Sequence, residues 1–595
     1  MFTASARLSA VVLVLLVALC HADYPFRNTS LPWHDRVDDL VQRLTVEEIT
    51  SQMAMGGHPP WQPAPAIPRL GISAFKWNGE CERGANGVPN ATAFPQGIGL
   101  AASFSPSLIE QVMTVVSMEW RAYYNSVSKK TPPEIGLNCY STTFNIMRDP
   151  RWGRCQETFG EDPYLTGHLG ESYVRGVQGT HPKYFRVGIG AKHFDAYGGP
   201  DDKPISRMNF DAKVSERDLR TTFLPAFRRI LAAGAAGIMC TYTSLNGIPT
   251  CANQWLLTEV LRNEWQYLGY TVSDAGAVYG VRTHHNYTHN DVDTAAACVN
   301  AGLNLEDGTD QTGLKPPYLS IAAAVKAGKI TENTLRRKAR PLFYTRMRFG
   351  EFDPPEDNPY NDIPLSVIGQ RDHLALAVEA AMKSFVLLKN DQNILPLKST
   401  PYDRIAVVGP LANNIVELFG NYHSDIVPSY CSTPLDGLKK ISNNVQYASG
   451  CDNDVCENYN SGAVTQAVKG AEIIFLCLGA GPSVSEEGND RTNLRLPGKQ
   501  SQLLNDAIQN RNGAPIILLL FNGGPIDLSL ADSSPDVAAI LDCFLPAQAS
   551  GEAIRRVLIK EGPGSVPAGR SPYTWPLSES DVSRCLIKRE CIRSV

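Results

Sequence analysis

The chain has 595 residues, 43% hydrophobic, 19% charged and 8% aromatic, with 48 Gly, 41 Pro and a formal net charge of −5. This composition excludes a disordered, collagen-like or coiled-coil protein, and a near-balanced charge without blocks of one sign gives no footprint for nucleic acid or an anionic membrane surface. At about 150 residues per domain the length allows four domains, but α/β barrels hold 200–250 in one unit, so two large domains are expected.

In chain order, Arg7 precedes the apolar run Leu8 to Leu19, and Cys20-His21-Ala22 follows it. Such a run falls short of the ~20 residues that span a bilayer. It reads as a secretory signal over 1–22, cleaved near Ala22, and no later stretch is apolar for long enough to cross a membrane. The sequons Asn28-Thr-Ser, Asn90-Ala-Thr and Asn286-Tyr-Thr agree with a secreted, extracellular chain. Loss of Cys20 with the signal leaves an odd number of the 14 cysteines, so at least one thiol is unpaired within the chain. Cys240 with Cys251 and Cys451 with Cys456 are the disulfide candidates, and Cys477, inside IIFLCLG, reads as a buried thiol.

From about residue 36 to 350 short apolar runs alternate with amphipathic segments. RVGIGAKHF (186–194), AAGIMCTY (235–242), YTVSDAG (270–276) and GLNLE (302–306) read as strands, and 215–234 and 252–266 read as helices. Strand then helix, repeated, implies a parallel sheet. The apolar runs stop at Lys192-His193, Tyr242, Asp274 and Glu306, which in a parallel barrel are the C-terminal strand ends where active sites are built. Residues 23–350 are therefore expected to form the first domain. The stretch GEFDPPEDNPYNDIP, dense in Pro, Asp and Asn, reads as a linker without regular structure, set at 351–372.

HLALAVEAAMKSFVLLKN (373–390) reads as one helix-like stretch, and RIAVVGP, AEIIFLCLG, PIILLLFNGGP and VAAILDCF read as strands of a second α/β unit over 373–576 with a doubly wound open sheet. VVGP and LGAGP lack the full dinucleotide fingerprint, so their glycines are read as the needs of tight turns. Residues 577–595 read as a tail. The cluster His284, His285 and His289 reads as an exposed polar loop rather than a metal site. Asp274, after TVS and flanked by Ala-Gly-Ala, has room for a ligand against its carboxylate, and an acid in that place can attack a sugar carbon or take a proton.

Six segments, NIMRDPRWGRCQETFGEDP (145–163), KHFDAYGGP (192–200), MCTYTSLNGIPTCANQWLLTEVLR (239–262), YTVSDAGAV (270–278), SFVLLKNDQNILPL (384–397) and EEGNDRTNLRLPGKQ (486–500), together resemble glycoside hydrolase family 3. The resemblance runs from about residue 32 to 576, and within the family the chain is most similar to the β-xylosidase branch. It implies an α/β fold, a TIM-like (β/α)8 barrel followed by an α/β sandwich, with a retaining mechanism and an active site between the two. Asp274 is then the nucleophile. Glu487, in SVSEEGNDR, is the acid/base, with Glu486 its rival, and the two carboxyl groups of a retaining enzyme stand about 5–5.5 Å apart. Enclosure and proximity to Asp274 are expected to raise the pKa of the acid/base.

The resemblance further implies that Lys192 and His193 bind sugar hydroxyls, that Arg154 in WGRCQE is a sugar-binding arginine, and that Tyr242 orients the nucleophile. Glu306 is read as a structural partner. WNGECERG (77–84) aligns with a Trp-x-x-Glu-x-x-His-Gly motif in which Glu80 selects xylose by occupying the space of the glucose hydroxymethyl group. One such mismatch is worth about 1–3 kcal/mol, or roughly 10–100-fold. Arg83 stands where the family commonly has His and Gly79 where a bulkier residue is usual. No cofactor and no metal are implied, the partner is a small-molecule or oligosaccharide substrate, and the sequence sets no oligomeric state. A β-glucosidase or α-L-arabinofuranosidase of the same family, and an inactive secreted carbohydrate-binding protein with this fold, are the alternatives. The N-acetylhexosaminidase branch is disfavoured because KHFDAYGGPDDKP lacks its His. Related xylosidases add a fibronectin-III-like domain after the GRSPYTWP region (569–576), whereas here the unlike tail SRCLIKRECIRSV follows, so no such domain is expected.

Overall fold

A computed structural model describes residues 24–56, 63–127, 134–308, 315–398, 402–576 and 582. The expected signal segment 1–22 and all of the tail except residue 582 lie outside the described residues. Two sheets, the first parallel and the second parallel but for one edge strand, organise the chain. In the first, β1 (Asn138–Cys139), β2 (Gly188–Phe194), β3 (Gly237–Cys240) and β4 (Tyr270–Ser273) pair in that order, all parallel. GLNLE joins them only through a parallel bridge from Leu305 to Val272. Amphipathic helices pack around this sheet, among them Pro106–Val127 and Pro163–Gln178. The latter starts at a side-chain cap from Asp162 with Pro at the first turn, where a missing N–H costs nothing.

The second sheet has six strands: β5 (Val386–Asn390), β6 (Ile405–Val408), β7 (Val445–Ala448), β8 (Ile473–Gly479), β9 (Ile516–Phe521) and β10 (Val537–Asp542), in the order β7-β6-β8-β9-β10-β5. All pairs are parallel except β10 with β5. Every residue of β8 is buried, as both faces of a central parallel strand require. Gly409 and Gly479 take φ of 124° and 144°, and a Cβ on either would overlap the backbone of the neighbouring strand, at Cys477 and Phe521 respectively. Steric need accounts for both glycines.

Two expectations are corrected. The stretch 373–390 is not one helix: the helix Arg371–Ser384 ends, and Val386–Asn390 pairs antiparallel with β10. The run Phe-Val-Leu-Leu suits a strand, and it covers what would be an open edge of β10. The expected linker holds three short 3-10 turns, Pro355–Asp357, Pro359–Asp362 and Leu365–Val367. Its prolines set φ for the first two turns. Asn125, on the helix Pro106–Val127, donates to the Tyr360 carbonyl at 2.9 Å, and Arg121 donates to Asn361 at 2.6 Å.

The disulfides Cys240–Cys251 and Cys451–Cys456 are present, together with Cys81–Cys139, which sequence reading did not pair. Cys477 is a free, buried thiol. The three sequon asparagines are exposed. Among the described residues no helix is long and apolar enough to cross a membrane.

Candidate active site

Parallel pairing brings the C-terminal ends of β2, β3 and β4 side by side, with Phe194 opposite Cys240 and Cys240 opposite Ser273. Lys192 and His193 at the end of β2, Tyr242 just past β3 and Asp274 just past β4 therefore converge on one patch. Asp274 follows the buried Ser273, its side chain is 14% exposed, and its Oδ2 lies 3.4 Å from His193 Nε2. Burial pushes its carboxyl above the ordinary value against the pull of Arg207 and Arg154, and the charge of Glu487 adds to the rise. The His193 backbone is fixed by the Asn145 side chain, whose Nδ2 donates to the His193 carbonyl at 2.7 Å and whose Oδ1 accepts the His193 N–H at 2.8 Å. Burial, then Arg154, Lys192 and Arg207, hold the imidazole far below its usual pKa, so the ring is neutral. Tyr242 is buried beside Asp274; burial and that carboxylate push its phenol well up. Both ring nitrogens of His285 are engaged, one by Ser244 and the other by the Tyr242 carbonyl, which braces the Tyr242 backbone from behind.

Glu80 enters on the loop Trp77–Gly84, tied to the end of β1 by Cys81–Cys139. Its carboxylate sits 3.4 Å from Lys192 Nζ and is 27% exposed. Burial pushes the Glu80 carboxyl up to about 7, with Lys192 opposing. Burial pushes Lys192 down, but Glu80 and the other nearby carboxylates outweigh it and leave the ammonium above its ordinary value. The two departures in this loop have structural causes. A Cβ on Gly79 would overlap the Trp120 ring, and the buried Arg83 spends its guanidinium on the carbonyls of Phe94 (3.0 Å), Asn421 (3.0 Å) and Phe419.

Arg154 is fully buried on the short turn Gly153–Glu157 and forks onto Glu157 at 2.7 and 2.8 Å. Its Nη1 reaches His193 Nε2 at 3.3 Å and Glu487 Oε1 at 3.2 Å. Glu487 arrives from the other half of the molecule, on the loop after β8, and is 24% exposed. It also accepts from Arg207 at 2.6 Å and from the Tyr422 hydroxyl at 2.5 Å. Glu486 beside it is exposed, and its backbone pairs with Asn489 across a tight turn. Glu306 is buried, accepts from the Tyr318 N–H at 2.8 Å and lies outside this cluster of contacts.

The electrostatics of Glu487 correct the sequence-based expectation. Burial does push its carboxyl up, but Arg154, Arg207, Lys192 and the Tyr422 hydroxyl outweigh burial and hold it well below the usual carboxylate range. Enclosure was anticipated; the convergence of three cations was not. Arg207 and Tyr422 were missed altogether. Arg207 lies over the Tyr242 ring at 4.6 Å, and Tyr422 carries Lys192 over its own ring at 4.3 Å. Both sit in irregular loops, PISRMNF and FGNYH, where no periodicity marks them.

Two acids from opposite halves of the molecule, one above and one below its ordinary pKa, are thus joined through shared Arg, Lys, His and Tyr neighbours. The chain matches the glycosyl hydrolase family 3 N-terminal domain over residues 66–343 and the family 3 C-terminal domain over residues 385–590. It is 36% identical to probable β-D-xylosidase 7 of Arabidopsis thaliana, covering 93% of this chain and 71% of that protein. It is also 36% identical to β-xylosidase/α-L-arabinofuranosidase 1 of Medicago sativa subsp. varia, covering 93% and 70%. Its fold superposes on a family 3 exo-β-xylosidase bound to a xylobiose aziridine probe with a TM-score of 0.82 at 29% identity, over 91% of this chain and 68% of that one. The family 3 β-glucosidase of Bifidobacterium adolescentis gives 0.73 at 30% identity, over 91% and 72%. By these matches across both halves, the chain belongs to glycoside hydrolase family 3.

Proposed function

We propose that this glycoside hydrolase removes terminal β-D-xylosyl residues from xylo-oligosaccharides or xylosides by double displacement, as a secreted enzyme. The reading is carried by Glu80 paired to Lys192 at the side of a cleft in which Asp274 and Glu487 meet across the two halves. The relatives named above as β-xylosidases support the sugar, and the apolar run at 8–19 with three exposed sequon asparagines supports secretion. In this reading 23–350 closes as a TIM-like barrel, 351–372 links it to a sandwich over 373–576, and the cleft lies between them.

Asp274 attacks the anomeric carbon to form a glycosyl-enzyme, Glu487 protonates the departing oxygen, and the Glu487 carboxylate then takes the proton of the water that releases the sugar. The proton that Glu487 gives to the departing oxygen is restored by the water of the second step, so the cycle returns the protein to its starting state. Lys192, His193 and Arg154 hold the sugar hydroxyls, and Tyr242 steadies the Asp274 carboxylate. Because Glu487 is a carboxylate among cations in the free protein, its acid role needs sugar binding to change that setting. Hydroxyls that engage Arg154 and Lys192 draw those charges away from it, and the carboxyl rises into the range where it carries a proton. Glu486, exposed to solvent, takes no part.

Asp274→Ala is expected to abolish hydrolysis of an aryl β-xyloside while the fold is kept, and residual activity near wild type would sink the assignment. A panel of aryl β-xyloside, α-arabinofuranoside, β-glucoside and β-N-acetylglucosaminide decides the sugar: fastest turnover of the xyloside is expected, and preference for another member displaces this reading in its favour.

A further inference from the structure

The loop that carries Glu487 is fastened to the first half of the molecule around the buried carboxylate of Asp490. Asp490, three residues on and only 4% exposed, accepts the Gly153 N–H on Oδ1 at 2.8 Å. Its Oδ2 accepts the N–H groups of Asp201, Asp202 and Lys203 at 2.7, 2.9 and 3.1 Å. The fastening is reciprocal. Asp202 accepts the Asp490 N–H at 2.7 Å, Asp201 accepts the Gly488 N–H at 2.7 Å, and the Arg151 carbonyl accepts the Arg491 N–H at 2.9 Å. The contact is so close that a Cβ on Gly153 would overlap the carbonyls of Glu486 and Asn489.

We infer that Asp490 is the positioning residue of the acid/base: it locks the 486–491 loop against the loops around Gly153 and Asp201–Lys203, and so fixes where Glu487 stands relative to Asp274. This rests on the proposed role of Glu487. The two loops that Asp490 grips also carry the partners of Glu487, since Arg154 follows Gly153 directly and Arg207 lies a few residues after Lys203. One anchor therefore sets the acid and both of its guanidinium neighbours in a common frame. Aspartate suits the place because both of its oxygens face N–H donors. Asparagine has nearly the same shape but turns an NH2 toward N–H groups whichever way the amide is flipped, so the lock opens without loss of volume.

The test uses the full-length protein and two series of aryl β-xylosides, with good and with poor leaving groups. Asp490→Asn is expected to lower kcat/KM on poor leaving groups about 10–100-fold more than on activated ones, as a displaced general acid loses part of its ~10²–10⁴-fold contribution, with KM nearly unchanged. Gly153→Ala leaves the carboxylate in place but pushes the loop away, and it is expected to give the same selective loss. It carries the test should Asp490→Asn fail to fold. Equal losses across leaving groups in these variants, or a lowered melting temperature with no change in leaving-group dependence, overturn the inference and leave Asp490 a structural tie. Glu487→Ala is measured alongside. If it shows no leaving-group selectivity, the role of Glu487 falls and the inference with it; if it shows selectivity that Asp490→Asn and Gly153→Ala lack, the positioning role alone falls.

Discussion

Shortening Glu80 to Asp isolates the basis of sugar choice. The Glu80 carboxylate stands 3.4 Å from Lys192 Nζ, on a loop pinned by Cys81–Cys139, so the loop does not follow the shortened side chain. Removing one methylene withdraws the carboxylate by about 1.5 Å, one carbon–carbon bond length. That takes it beyond hydrogen-bond range of Lys192 and of any sugar hydroxyl it reaches beside it. A hydrogen bond to a charged group is worth about 1.5–3 kcal/mol. At 1.36 kcal/mol per decade, kcat/KM for an aryl β-xyloside is expected to fall roughly 10–150-fold. The aryl β-glucoside loses the same hydrogen bond but gains room for its hydroxymethyl group, a contact worth about 1–3 kcal/mol in the opposite direction. The ratio of the two kcat/KM values is therefore expected to shift about 10–100-fold toward the glucoside. Initial rates with both substrates on wild type and Glu80→Asp measure it. If both fall by one factor, Glu80 serves only to hold Lys192, and the steric account of sugar choice is refuted.

Tyr422→Phe deletes the hydroxyl that donates to Glu487 and is expected to raise the Glu487 pKa by about 1–2 units; pH profiles of kcat/KM in both proteins measure it, and an unmoved Glu487 limb contradicts it. Asp542, buried at the end of β10 with its carboxyl pushed up to about 7 by burial, holds more protons folded than unfolded, where its pKa is about 3.9. Its contribution to stability is thus full below about pH 4 and lost as pH rises through 7, roughly 2–3 kcal/mol of it between pH 5 and 7, so Asp542→Asn gains that much relative to wild type over the interval in denaturant melts. Arg83→Ala leaves the carbonyls of Phe94, Phe419 and Asn421 without their donor and is expected to cost about 3 kcal/mol or more; a denaturant midpoint shift equivalent to under 1 kcal/mol refutes this.

Half of the cleft was legible because a parallel sheet has a rule for it. Apolar runs mark strands, the residue that ends each run marks a C-terminal edge, and pairing puts those edges together. Lys192, His193, Tyr242 and Asp274 follow from that rule alone. Glu487 does not. It lies on a loop beyond a different sheet, and only its motif, Glu-Gly-x-Asp-Arg, announced it. Arg207 and Tyr422 become neighbours of Glu487 only where the two halves meet, and Cys81 pairs with Cys139 across 58 residues that no local pattern links. The same cause explains the wrong sign for Glu487. Burial is a property a loop motif suggests, whereas a count of charges converging from three separate segments of the chain is not, and here the charges outweigh burial.

That sign bears on how the cleft works under the proposed roles. In the free protein Asp274 is pushed toward its protonated form and Glu487 toward its ionised form, the reverse of what attack and protonation require. Arg154 is placed to change both, since it touches Glu487 and His193 and pulls on the Asp274 carboxyl. A sugar whose hydroxyls engage Arg154 and Lys192 removes cationic stabilisation from Glu487, while the positive charge gathering at the anomeric carbon favours ionised Asp274. The proton pattern needed for reaction is then a consequence of occupancy by a hydroxylated ring rather than a property of the empty cleft. A ligand that fills the cleft without those hydroxyls should leave Glu487 ionised. An aryl 2-deoxy-xyloside compared with the parent xyloside tests this: its loss is expected in kcat as well as KM and to grow with the pKa of the leaving group, and a loss confined to KM contradicts the coupling.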